Sequence, residues 1–357
     1  MKIAILGAGN SGCALAADYS FRGHEVTLIK TSNALHDDNF MFLTQNGGEM
    51  TMEEFGEVRR SKIARVSRNV ADIGGAELVI VCVQTIYHEE LIRTAAPWLE
   101  DGQILLFNPG YLSTAYVLKL CGDKKITVVE AESAFVDGRI VSPGRFRAGF
   151  RNVRNPLGVY PASRLDETRE KLAALGTPFT YLQSVAEAAL HNPNMIVHTV
   201  GAIMSIPRIE KTNGEYCMYH EVFTPSVWSI LEALDREKMA VLQHLGFEPV
   251  PYVEACKFRN SLDEGEDAKK VFFDYAAMPT RAKGPTTVDS RYITEDVSQG
   301  LVMLESMAAV LDIKTPVATA LIEIASAALG RDLRCQGRSL ERLGRDRVHS
   351  ILQDHRN

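Results

Sequence analysis

Apolar residues follow two regimes along the chain. In the first half they come in short runs. Ile3 to Leu6 is an apolar run of the length expected for a strand buried on both faces. It leads into Gly7-Ala8-Gly9-Asn10-Ser11-Gly12, then a helical stretch with Ala14, Leu15 and Ala17 that Gly23 stops, then the strand-like EVTLI. Further apolar strands are predicted at 76–83, 103–108 and 126–133, with a helical stretch between the first two. Segment 138–161 is cut by Gly and Pro into short alternating runs and predicts antiparallel strands added to the sheet. From about Val185 the period changes. Segments 185–206, 224–246, 296–312 and 316–329 repeat apolar residues every three or four positions, and no alternating strands follow. The boundary near 183–187 predicts two domains: an α/β dinucleotide-binding domain of the Rossmann type over 1–185 and an all-α domain over 186–357.

Composition narrows the classes. Hydrophobic residues make up 46% and charged residues 24%, which is ordinary for a globular protein. With 39 basic and 45 acidic residues the net charge is −6, which argues against a general nucleic-acid or anionic-membrane surface but leaves room for a small anionic substrate. No apolar run is long enough to span a bilayer, and the first strand begins at Met1 without an apolar leader. The six cysteines form no C-x-x-C pair and no zinc-ligand spacing with His, so they read as reduced thiols of a cytoplasmic protein without a metal site.

The glycine loop carries the first chemistry. Strand, G-x-G-x-x-G, helix and strand within about 30 residues is the context that makes this motif meaningful. Gly7 permits the tight turn, Gly9 lets the backbone approach a pyrophosphate, and Gly12 lets the helix pack close to the strand. The helix N-terminus supplies N–H groups and a positive dipole end. Gly7, Ala8, Gly9, Asn10, Ser11 and Gly12 are therefore expected to bind the cofactor. The second strand ends in Lys30-Thr31-Ser32, where NAD binders usually place Asp or Glu on the ribose. A cation and two hydroxyls, with no carboxylate following the strand, favour NADP(H), with NAD(H) as the other option. Gln84 to Tyr87 and Asn108-Pro109-Gly110 follow strand C-termini, where ligands collect in open α/β sheets. Arg139, Arg145, Arg147, Arg151 and Arg154 could attract carboxylates, but charge guarding a solvated sheet edge is the better reading.

The second chemistry sits in NPNMIVHTVGAIMSIP, residues 192–207. Met195, Ile196, Val197, Val200, Ile203 and Met204 form an apolar helix interrupted by His198. A lone His in such a helix is most often a satisfied core residue. Here Asn194 lies four residues earlier, on the same helical face, with Asn192-Pro193 marking the helix start. Far downstream, RYITED places Arg291 and Asp296 ahead of another apolar helix. The plain alternatives are an Asp296 that serves a helix N-terminus and an Arg291 that is its surface partner.

The chain resembles the octopine/nopaline (opine) dehydrogenases over nearly its whole length. The resemblance rests on GAGNSG, on NPNMIVH, on FTPSVWSILEALDREKMAVLQHLGF (223–247), and on RYITED followed by a helix; GRSLERLGR (337–345) looks like the family's C-terminal region. It implies a C-terminal domain of the 6-phosphogluconate-dehydrogenase C-terminal-like kind and a substrate cleft between the domains. It also implies NAD(P)H-dependent reductive condensation of an amino acid with a 2-oxo acid, and the reverse oxidation. On this resemblance His198 and Asp296 form the catalytic dyad, and Asn194 and Arg291 line the substrate cleft. Thr224, with Tyr216 and Met218, is a candidate for the lining. Where the family carries Val-Pro after the strand at 76–83, this chain has Val83-Gln84, a departure at the nicotinamide or keto-acid pocket. The partners implied are two small molecules, with no nucleic acid and no membrane, and a homodimer as one assembly. The chemistry asks for the same residues: a proton donor or acceptor near neutrality, a carboxylate behind it, and an Arg fork for a substrate carboxylate. Two alternatives stay open. One is a ketopantoate-reductase-like or other 2-oxo acid reductase of the same architecture. Those reductases use a Lys in the helical domain, and none lies between 173 and 210 here. The other is a non-catalytic NADP-sensing protein.

Overall fold

Lys2–Leu6 forms β1, with Ile3 to Leu6 all within 1% of full burial. A computed structural model of the chain describes residues 1–32, 35–279 and 283–356, in two compact units, Met1–Val185 and Ala186–Arg356.

In the first unit α1 (Asn10–Phe21) and β2 (Glu25–Ile29) follow β1, with Gly23 turning the chain at φ +85°. Then come α2 (Asp37–Gln45), β3 (Glu49–Glu54), β4 (Glu57–Lys62), β5 (Arg65–Ser67), β6 (Leu78–Val81), α3 (His88–Ala95) and β7 (Ile104–Phe107). The unit continues with α4 (Thr114–Leu120), β8 (Thr127–Ala131), β9 (Val136–Ser142), β10 (Arg145–Arg151), β11 (Asn155–Tyr160), α5 (Leu165–Ala173) and β12 (Phe179–Tyr181). The main sheet has the order β12-β11-β8-β7-β6-β1-β2-β5. Its strands from β5 through β8 are parallel, which explains the unbroken apolar runs of β6 and β7 and the run Ile3 to Leu6 of β1.

One expectation is corrected here. Of the strands within 138–161, only β11 joins the main sheet, antiparallel to β8. β9 and β10 pair with each other and, through β3, form a separate four-stranded sheet, β4-β3-β10-β9. The reason lies in α1. Gly12 to Tyr19 are all buried, and a helix buried all round needs cover on more than one side. The second sheet supplies it with Met50, Met52, Phe146 and Ala148, which join the same core as Ala14, Leu15 and Tyr19. The arginine reading divides as well. Arg139, on the edge strand β9, and Arg147, on the inner strand β10, are exposed charges, whereas Arg151 is drawn inward between Asp18 and Glu54.

In the second unit all described elements are helical: α6 (Val185–Leu190), α7 (Pro193–Met204), α8 (Ile206–Thr212), α9 (Met218–Glu221), α10 (Pro225–Leu245), α11 (Tyr252–Asn260), α12 (Ala268–Ala277), α13 (Arg291–Thr294), α14 (Val302–Val310) and α15 (Pro316–Leu329), with short helices to Gln353. The periodic segment 185–206 divides at Asn192-Pro193, where the sequence marks a helix start. The Asn192 side chain accepts from Asn194 N–H at 3.0 Å and Pro193 takes the first helical position, so a new helix starts there. Asp296–Leu301 is a π-helical turn that leads into α14. Among the described residues no helix is long and apolar enough to cross a membrane.

Candidate functional site

The glycine loop has distinct roles for its three glycines. Gly7 sits at φ +116°, where a Cβ would fall 2.7 Å from the Cys82 carbonyl and 3.0 Å from Val83 Cγ1. A Cβ on Gly12 would lie 1.7 Å from the Gly7 carbonyl, so the loop closes onto α1 only with glycine there. A Cβ on Gly9 would meet nothing, which leaves open the side from which a ligand approaches. Gly9 caps α1 without a side-chain bond, and the N–H groups of the first helical turn have no intrahelical acceptors. The Asn10 side chain is turned away, accepting from Ile140 N–H at 2.9 Å. The Asn108 amide donates to Ser11 Oγ at 3.2 Å, while its buried Oδ1 has no hydrogen-bond partner among the described residues. These groups fit a pyrophosphate and the polar atoms attached to it. Val83 and Gln84 are half-buried beside the loop, and the Val83 carbonyl accepts from His88 Nε2 at 3.2 Å.

The end of β2 differs from the expectation. Lys30 is 4% exposed; its ammonium donates to the Leu35 carbonyl at 2.7 Å, and burial pushes its pKa down against the opposing pull of Asp37. A carboxylate is present after all: Asp37 Oδ1 lies 3.9 Å from Lys30 Nζ and also pairs with Arg68. It arrives on α2, eight residues beyond the strand end at Ile29, and the sequence reading stopped at Ser32. Arg68 donates to the Ser32 carbonyl at 3.2 Å and stacks over Phe40 at 4.5 Å. Thr31 is half-buried and Ser32 exposed. The sequence reading missed Arg68, because β5 brings it beside β2 from 36 residues away.

In the helical unit, α7 and the π turn bring His198 and Asp296 together across 98 residues. His198 Nδ1 lies 2.8 Å from Asp296 Oδ2, with His198 6% and Asp296 1% exposed. A carboxylate can only accept, so Nδ1 carries the proton and Nε2 is the titrating atom of the neutral ring. The Tyr292 ring lies against the imidazole at 3.9 Å between centroids, and the Tyr219 hydroxyl is 3.3 Å from Nε2. Tyr292 lies inside RYITED but was given no role there, and Tyr219 was not singled out because it sits in an ordinary-looking short stretch. The histidine just before the motif is different in kind. His191 is buried, and desolvation together with Lys238 and Arg259 holds it well below the ordinary histidine range, so it stays neutral.

The remaining candidates are spread around the dyad's helices. Asn194 is half-buried one turn before His198. Arg291 opens α13 with its side chain 53% exposed and Nε 3.6 Å from Glu295 Oε2, so its ion pair runs to Glu295. Thr224 is exposed and caps α10 without a side-chain bond. Tyr216 and Met218 are buried, with the Tyr216 hydroxyl 2.9 Å from Ser205 Oγ.

A Rossmann-type nucleotide unit paired with a helical unit that carries a histidine–carboxylate dyad defines the class of two-domain NAD(P)-dependent dehydrogenases. Residues 181–329 match the model for the NAD/NADP octopine/nopaline dehydrogenase alpha-helical domain, and residues 3–135 match the model for ketopantoate reductase PanE/ApbA. Over 351 residues the chain is 26% identical to the opine dehydrogenase of Arthrobacter sp., covering 96% of this chain and 94% of that one. It is 24% identical to the vitopine synthase of Allorhizobium ampelinum, covering 95% and 94%. Among solved structures, octopine dehydrogenase in complex with NADH and agmatine superposes with a TM-score of 0.79 at 17% identity over 99% of this chain and 98% of that one. NADP+-bound yersinopine dehydrogenase gives 0.76 at 17% identity over 100% and 99%. The helical unit is thus similar to the helical domain of the octopine/nopaline dehydrogenases, and the chain is similar over nearly its whole length to opine dehydrogenases.

Proposed function

We propose that this protein condenses the amino group of an L-amino acid with a 2-oxo acid and reduces the product to an N-(carboxyalkyl)amino acid, and also runs the reverse oxidation. One observation carries the reading: a buried His198–Asp296 pair at 2.8 Å, inside the segment that matches the octopine/nopaline dehydrogenase helical domain. When bound, the nicotinamide supplies or accepts the hydride. Asp296 holds the imidazole with Nδ1 protonated and favours its charged form. Nε2 then gives a proton toward the substrate nitrogen in reduction and takes one in oxidation. Arg291 offers a planar fork for a substrate carboxylate, with Asn194 and Thr224 as further polar contacts. Gly7 to Gly12 hold the pyrophosphate, and Val83 and Gln84 flank the cofactor. Octopine dehydrogenase has been solved with NADH and L-arginine and with NADH and pyruvate, which supports an amino acid plus a 2-oxo acid as the substrate classes here. Six free thiols fit a reducing compartment, the cytoplasm.

The test is a matrix of L-amino acids against pyruvate, 2-oxoglutarate and glyoxylate, followed by NADPH absorbance. Consumption of NADPH only when amine and oxo acid are both present is the expected result. Consumption with the oxo acid alone would move the assignment to a ketopantoate-reductase-like enzyme, and cofactor binding without any turnover would move it to a sensor.

The cofactor is NADP(H) in preference to NAD(H) on this reading. Support comes from Thr31 and Ser32 at the strand end, and from Lys30 and Arg68, which neutralise Asp37 there. A charge-assisted contact to the 2′-phosphate is worth about 1.5–3 kcal/mol, roughly 10- to 100-fold in affinity. NADPH should therefore bind more tightly than NADH, and Thr31→Asp should reverse the order in fluorescence titrations. Equal affinities in the unmodified protein would defeat the preference.

A further inference from the structure

The two nitrogens of His198 have unlike surroundings. Nδ1 is committed to Asp296. Nε2, the atom that must exchange a proton, faces the Tyr219 hydroxyl at 3.3 Å. Tyr219 is 2% exposed and is held from several sides. Its neighbour Met218 donates its N–H to the Lys283 carbonyl at 2.7 Å and accepts at its own carbonyl from Val222 N–H at 3.1 Å. Gly201 and Gly284 press on Met218 so closely that a Cβ would fall 2.7 Å from its Sδ or 2.6 Å from its Cβ. The Tyr219 ring lies 6.3 Å from Phe223, and the Tyr292 ring fixes the imidazole plane. The short helix that carries Tyr219 therefore has little room to withdraw, and the hydroxyl stands on the proton path to Nε2.

We infer that Tyr219 relays the proton between His198 Nε2 and the substrate nitrogen. The inference rests on the function proposed above. In the oxidative direction the amine N–H bond breaks and its proton goes to the Tyr219 oxygen. At the same time the Tyr219 O–H bond breaks and that proton forms the Nε2–H bond. The hydride of the adjoining C–H leaves to the oxidised nicotinamide, so the amine becomes an imine. The phenol ends neutral, as it began, and the positive charge rests on an imidazolium beside Asp296. In reduction each transfer runs backwards. A hydroxyl suits the task because it donates and accepts at one atom.

Single-turnover oxidation of the enzyme's own product with NADP+ separates the relay from a simple prop or a plug. For a relay, Tyr219→Phe slows the hydride step by about 10²–10³-fold, within the range of a lost acid–base group. His198→Asn combined with Tyr219→Phe is then no slower than the worse single variant. The proton inventory of the unmodified enzyme in H₂O/D₂O mixtures curves as two protons in flight require. A Tyr219→Phe rate unchanged or raised, or a linear inventory, overturns the relay. If the variant fails to fold, the inventory on the unmodified enzyme decides. ¹⁵N-histidine spectra of substrate-free protein give a readout apart from turnover: Tyr219→Phe should move the His198 Nε2 resonance, and an unmoved resonance overturns the contact itself. Absence of turnover with every amine and oxo acid pair would instead count against the proposed function, while those spectra still judge the contact.

Discussion

His198→Asn is expected to lower kcat by about 10²–10⁴-fold, the contribution typical of a positioned acid–base group, with the fold retained. A core histidine would behave in the opposite way, losing stability while each folded molecule kept its activity. Circular dichroism and steady-state kinetics on one preparation tell the two apart. The companion variant Asp296→Asn should move the pH–rate profile of amine oxidation to lower pH. The sign comes from the carboxylate 2.8 Å from Nδ1. An anion there favours the imidazolium, so removing it favours the neutral base that oxidation needs, and that base appears at lower pH. The rate at the optimum should also fall, because the ring loses the partner that orients it. A profile left in place with kcat intact would show Asp296 to be only a helix-end charge.

The second large effect is on stability. Arg151 donates to Glu54 Oε1 at 2.6 Å and Oε2 at 3.2 Å, to Asp18 Oδ1 at 2.9 Å, and also pairs with Asp18 Oδ2. The Asp18 and Glu54 side chains are 6% and 8% exposed. Arg151→Met leaves buried Asp18 without its cation and Glu54 with only Arg59 at 3.8 Å, and breaking a buried pair in this way costs about 3–5 kcal/mol. Urea unfolding should show a lower midpoint at an unchanged slope. Adding Asp18→Asn and Glu54→Gln should recover most of the loss, since the damage is uncompensated charge. If Arg151→Met alone keeps its midpoint, the network contributes little.

The same network explains why part of the fold was hidden in the sequence. β1, the glycine loop and β2 were legible because backbone geometry dictates their residues: a Cβ at Gly12 has no room. The β3–β4 hairpin was not. Its inward face reads Met50, Met52, Glu54, and the last of these is buried only because Arg151 arrives from almost a hundred residues away. A binary pattern counts that glutamate as surface. The site shows the same divide. His198 stood out as a polar residue in an apolar helix, and Asp296 was reached only through resemblance, since nothing local ties the two. Tyr219 and Arg68 act through tertiary neighbours and left no local mark. The helix start at Asn192 was legible, because a capping Asn before Pro begins a helix wherever it falls.

The wide turn at Asp296–Leu301 has a consequence of phase. A π turn holds one residue more than the α-helix around it, and each residue of an α-helix advances about 100° around the axis. Everything on the N-terminal side of the turn is therefore rotated by about that angle relative to where an even helix running back from α14 would set it. Asp296 and Tyr292, the two groups laid against His198, are aimed by this offset. The extra residue works as a phase shifter: the downstream helix keeps its apolar face in the core while the upstream turn is dialled toward the imidazole.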